Sequence, residues 1–195
     1  MDIFVQIPGF LEDLDHLTQN LTKPLYQQLV ATYIRIDAKL TDWLQSQAPI
    51  EHLKIIQARG YTDPTAEGLA VGQIISLFWA MCILVHSTMH QAVRLSPSSF
   101  LPGCLSPRAE PRQYCNHIAD IVEIFLQPQA GIFGMQAVPF PVGIALEYLM
   151  STEGYGSDVS KKLVGYFADR GSGVCIGNFL LSSRKEWMDR GTQGN

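Results

Sequence analysis

His86 and His90 stand four residues apart in the stretch His-Ser-Thr-Met-His. On a helix that spacing puts both imidazoles on one face. Such a pair can chelate a metal, but a zinc site needs a third ligand and an open position. A zinc-protease helix would also carry Glu at position 87, where this chain has Ser87. We therefore expect no metal and no cofactor. His86 and His90 remain candidates for acid, base or ligand contact, weighed against two polar positions at the end of a buried helix. Tyr148 is the third catalytic candidate. It shares an apolar helix with Glu147, so one of the two must lie near a partner or the surface, and a surface position is the default for Glu147.

His117, Asp120 and Glu123 follow one another at three-residue steps. A carboxylate cluster can hold magnesium or work as acid and base, but a solvated helix face is the simpler expectation. No doubled acidic motif, nucleophile elbow or Walker loop is present. Ser182-Ser183 lacks flanking glycines, and no strand precedes Gly171, Gly173 and Gly177, so neither segment reads as a nucleophile or phosphate site. Phe78, Trp79, Met81 and Met89 are apolar enough to line a ligand pocket, although most aromatics in the chain should be core.

Positioning these groups falls to helices. Hydrophobic residues make up 47% of the chain and charged residues 16%, below the usual quarter. More of the surface than usual is uncharged, which suits a partner interface or the mouth of an apolar pocket. The net charge of −4 argues against direct nucleic-acid binding. The four cysteines, at 82, 104, 115 and 175, form no CxxC pair and read as free thiols in a reducing compartment. The start, Met1-Asp2-Ile3-Phe4, has no basic region of a signal peptide. An intracellular location, nucleus or cytoplasm, is expected.

Ile3, Phe4, Ile7, Phe10, Leu11, Leu14 and Leu17 recur at helical spacing, with Pro8 assigned to the first turn. A second helix starts near Thr22, with Pro24 just inside it. Leu25, Leu29, Tyr33, Ile36, Leu40 and Trp43 or Leu44 line one face, while Arg35, Asp37, Lys39 and Asp42 fall on a solvated one. A short helix at 50–58 ends by Gly60. Asp63 then caps a long helix, with Pro64 at its first position, running to about Arg94. From Gly68 to Val93 this helix carries no Asp, Glu, Lys or Arg. Its apolar centre, Ile74 to Val85, is about a dozen residues against the roughly twenty of a bilayer span, so a buried bundle helix and no membrane partner are expected.

Residues 95–113, with Pro97, Pro102, Pro107 and Pro111, form a loop. Helix returns over Tyr114–Gln127, directing Ile118, Ile121, Val122, Phe125 and Leu126 inward. After Gly131-Ile132-Phe133-Gly134, Pro141 opens a helix through Met150. Ser157-Asp158 caps a further one, and a last helix spans about 174–188. No strand alternation and no repeat appear. The fold class is all-α, a single irregular bundle of about six to seven helices over residues 1–190, with a disordered tail at 191–195.

Five segments, in order, carry a resemblance. They are FVQIPGFLEDLD (4–15), YIRIDAKLTDWLQ (33–45), ISLFWAMCILVH (75–86), CNHIADIVEIFLQPQAGIFGMQAVPFPVGIALEYL (115–149) and RGSGVCIGNFLLS (170–182). Together the chain resembles the C-terminal region of fungal zinc binuclear-cluster transcription factors. Within the strongest segment, Gly131 and Gly134 permit a tight turn, and Pro139 and Pro141 disfavour helix just before them. The family's six-cysteine DNA-binding head has no counterpart in the cysteines present, so zinc-dependent DNA reading does not carry over.

The resemblance implies a helical scaffold that binds proteins or small molecules. Two readings follow. The first is a truncated regulatory or interaction protein without its own DNA-binding domain, tied to secondary metabolism and acting through a protein partner. The second is an isomerase or cyclase acting on a small apolar ligand in a shaped cavity, where orientation alone does much of the catalysis.

Overall fold

The computed structural model describes residues 3–61, 64–97, 108–154 and 156–168. Among them are eight α-helices and no strand, one helix more than the upper expectation. They are α1 (Ile3–Gln19), α2 (Lys23–Ser46), α3 (Ile50–Ala58), α4 (Ala66–Leu95), α5 (Pro111–Phe125), α6 (Gly131–Ala137), α7 (Pro139–Thr152) and α8 (Asp158–Ala168). A 3-10 turn, Pro128–Ala130, precedes α6. The extra helix is α6, lying where sequence suggested a turn.

Helix α4 is the strut of the bundle and packs against α1, α2, α3, α5 and α7. Residues Phe78 through Ile83 are consecutive and all buried, so this part of the helix has no solvent face. A helix apolar on every side is stable only when enclosed. Length alone does not settle its role. The helix runs for 30 residues, and an 18-residue window reaches a mean hydropathy of 2.1, which suffices to cross a membrane. Two-thirds of that window (67%) is buried inside the bundle, which marks a core helix.

Several boundaries differ from expectation. Pro8 lies inside α1 rather than in its first turn. Its ring leaves one backbone carbonyl without a helical donor, yet buried Ile3 and Ile7 hold the helix together across it. Helix α4 begins at Ala66, with Thr65 as its cap. Thr65 Oγ1 accepts from the Gly68 amide at 3.0 Å, the bond expected of an N-cap residue. Helix α5 starts at Pro111, three residues early, because proline suits the opening turn. Its inner face is buried as expected, apart from half-buried Leu126. Thr22 precedes α2, and the Ser160 amide bonds Ser157 Oγ at 3.2 Å at the start of α8. The last predicted helix, the tail, Cys104, Cys175 and most of the Pro-rich loop fall outside the described residues.

The Gly-Ile-Phe-Gly segment has a double constraint. Gly131 has φ +51, a left-handed conformation that side-chain-bearing residues rarely adopt. Gly134 lies so close to the end of α5 that an added Cβ would sit 2.1 Å from the Phe125 carbonyl oxygen. Both residues thereby fold α6 back over α5. Val138, just before Pro139, is helical (φ −78, ψ −39), contrary to the pre-proline bias. It ends α6 through its amide to Gly134 O and starts α7 through its carbonyl to the Val142 amide. The 128–137 segment and α7 meet at 60°.

Candidate functional site

His86 and His90 project from one side of α4, and two neighbouring elements meet them there. Helix α2 contributes Tyr33, Asp37 and Thr41, spaced four apart and hence on one row. The segment entering α5 contributes Arg108 and Ala109, and α5 itself contributes Tyr114.

His86 has no exposed surface. Its Nδ1 lies 3.2 Å from Tyr33 Oη. The Tyr33 ring meets it edge-on, and the Tyr114 ring stacks on it at 5.9 Å and 13°. Its Nε2 lies 3.9 Å from Asp37 Oδ1, too far for a hydrogen bond, and has no other partner among the described residues. Tyr33 donating into Nδ1, with the imidazole proton on Nε2 toward Asp37, satisfies the geometry best. Burial pushes the His86 pKa down to about 4; Arg108 and His90 act in the same direction and Asp37 opposes them. The ring is therefore neutral at pH 7.

Asp37 is held from the other side by Arg108, whose Nη2 lies 3.1 Å from Oδ1 and also bonds Thr41 Oγ1. Tyr114 Oη donates to the Arg108 carbonyl at 3.2 Å. His90 Nε2 donates to the Ala109 carbonyl at 2.8 Å, which fixes its proton on that nitrogen. Cys82 is buried beside Tyr114, and burial raises its thiol pKa to about 12, leaving a protonated and unreactive thiol. The two histidines thus tie the end of the Pro-rich segment to α4, and α2 closes the cluster.

Other candidates lie elsewhere. Tyr148 is half-buried on α7, with Glu110, Cys115 and Glu153 as its titratable neighbours. Burial raises its hydroxyl pKa, and no hydrogen bond or ring contact between described residues joins it to the histidines. Glu147 is exposed, as expected. Phe78, Trp79, Met81 and Met89 are all buried core. Phe78 packs on Trp43 at 4.7 Å, and Trp79 stacks on His117 at 5.0 Å. Asp120 pairs with Lys162 at 2.8 Å, consistent with a surface role. Among the described residues no three His, Cys, Asp or Glu side chains gather as metal ligands.

Asp37, expected on a solvated face, instead lies partly buried beside His86. Tyr33 belongs to the apolar stripe read from the sequence, and nothing in that spacing joins it to Asp37 and Thr41 as a polar row. Arg108, in a Pro-rich loop, carried no signal of its destination.

A scan against family models, curated proteins and solved structures finds no match to this chain.

Proposed function

We propose that this chain is a regulatory or interaction protein on the scaffold of a fungal zinc-cluster regulator's C-terminal region, reading no DNA itself. It works in the nucleus or cytoplasm by binding a protein partner, with secondary metabolism as its setting. One observation carries the reading: candidate ligand-lining residues pack as core, while large apolar residues are exposed where charge is absent. Residues 127–146 contain no Asp, Glu, Lys, Arg or His. Within them Ile132 is 73% exposed, Met135 43% and Phe140 48%. Ile132 and Met135, three apart, share a face of α6, and Phe140 follows in the first turn of α7. An uncharged corner of this kind suits the apolar face of a partner helix.

The test is deletion of the gene in the source organism, with transcripts of neighbouring genes measured. A clear rise or fall supports the reading; unchanged transcripts sink it. Sedimentation with anionic vesicles checks the competing occupant of the corner, since a membrane surface would pull the protein down without any partner.

The enzyme reading has one observation behind it. His86 Nε2 is buried without a hydrogen bond beside Asp37, an arrangement able to move a proton if an apolar metabolite reached it. His86→Ala would then reproduce the metabolite accumulation of the deletion strain.

A further inference from the structure

The route of the chain out of the bundle leads toward the uncharged α6–α7 corner. Arg112, at the start of α5, pairs with Glu153, just past the end of α7. Cys115 Sγ donates to the Ala145 carbonyl at 3.8 Å. Helix α7 therefore runs antiparallel to α5, and its first turn lies at the far end of α5. Gly134, set against the Phe125 carbonyl, places α6 at that same end. The chain turns from the end of α7, at the Arg112 end of α5, into α8. Helix α8 then follows α5. Lys162 Nζ bonds Asp120 Oδ1 at 2.8 Å, and Tyr166 Oη donates to the Ala119 carbonyl at 3.2 Å, with Glu123 and Asp120 as its carboxylate neighbours. Its last turn lies beside the second half of α5 and heads for the corner.

What comes after α8 suits that destination. Residues 169–195 lie outside the described residues, so only their sequence is used. Asp169 to Gly173 is a short link with two glycines. Residues 171–183 contain no Asp, Glu, Lys, Arg or His, the same lack of charge as residues 127–146. Ile176, Phe179 and Leu180 recur there at the spacing of a helix. The link of residues 169–173 spans at most about 17 Å, whereas α5 rises only about 9 Å from Ala119 to Phe125. So short a tether holds the segment at an effective concentration near millimolar. A second copy would bring the same segment without that tether.

We propose that residues 174–183 dock on the α6–α7 corner of their own chain. Phe179 and Leu180 lie against Ile132, Met135 and Phe140, and a partner helix must displace them. The contact follows from reach and matched apolar character; only its regulatory consequence rests on the reading of the corner as the partner surface.

The test uses the full-length protein with Ile132→benzoylphenylalanine, irradiated at high dilution and mapped by mass spectrometry. A cross-link within one chain to residues 174–188 is expected. Cross-links only between chains would give the corner to a second copy, and no cross-link to that segment would leave the corner open; either overturns the proposal. Peroxide oxidation of Met135 is the second readout. Phe179→Asp with Leu180→Asp should speed it severalfold, while buried Met81 and Met89 keep their rates and show the bundle intact. An unchanged Met135 rate in that intact variant also overturns the contact. Transcripts of neighbouring genes separate this failure from that of the partner reading. A transcript response to gene deletion without the contact leaves the corner to the partner alone. The contact without any transcript response keeps the docking and sinks the partner reading.

Discussion

The histidine cluster and the α6–α7 corner sit at opposite extremes of polarity and exposure. The first gathers two histidines, two tyrosines, an ion pair and a thiol in the interior, where every group needs a partner. The second spreads apolar side chains into solvent from a stretch, residues 127–146, that contains no charged residue. Buried polar groups are costly unless paired, and here the pairing fastens the Pro-rich segment to α2 and α4. Exposed apolar side chains cost the folded state little and offer area to something else. The difference teaches that the residues with the most chemical character hold the fold, while plainer ones are left in solvent.

The largest expected effect attacks the placement of the corner. Gly134→Val puts carbon against the Phe125 carbonyl at a distance no packing adjustment absorbs. Urea unfolding should show a loss of more than about 3 kcal/mol, or the variant should fail to fold. A loss below about 1 kcal/mol would mean that α6 does not lie on the end of α5.

The interior cluster should show itself through pH. The folded pKa of His86 is lowered to about 4 from an ordinary 6.5. The unfolded chain therefore takes up a proton first as pH falls. Stability should be complete above about pH 6.5, decline toward pH 4 and then level off, by about 3 kcal/mol for this group. His117, also lowered by burial, adds to the same slope. His86→Phe should flatten the profile, and an unchanged slope would place the titration elsewhere. Asp37→Asn should cost about 1–3 kcal/mol at pH 7 by leaving Arg108 without its carboxylate. A neutral result would reduce the cluster to ordinary surface pairing.

Ile132→Glu with Phe140→Glu should be the mildest change, within about 0.5 kcal/mol at Ile132 and about 1 kcal/mol at Phe140, because Ile132 is mostly exposed and Phe140 about half. A large destabilisation would show the corner to be structural and erase the contrast with the cluster.

Much of the fold was legible in the sequence. The stripe from Leu29 through Trp43 is buried as read, as is the inner face of α5 from Ile118 to Phe125. These follow from spacing alone. Pro8 and Val138 went astray because local proline rules were overruled by packing: Ile3 and Ile7 extend one helix, and Val138 serves two at once. Helix α6 was missed because its glycines also read as a turn. Of the candidate site, the histidine pair was legible from four-residue spacing. Asp37 and Arg108 were not, since their meeting depends on tertiary approach between residues 71 apart.

The most direct test of the central claim is complementation of the deletion strain. Wild-type protein should restore the transcripts of neighbouring genes. The Ile132→Glu/Phe140→Glu protein, folded and equally abundant, should leave them at the deletion level. Full restoration by the double variant would contradict the account and move the binding surface away from the α6–α7 corner.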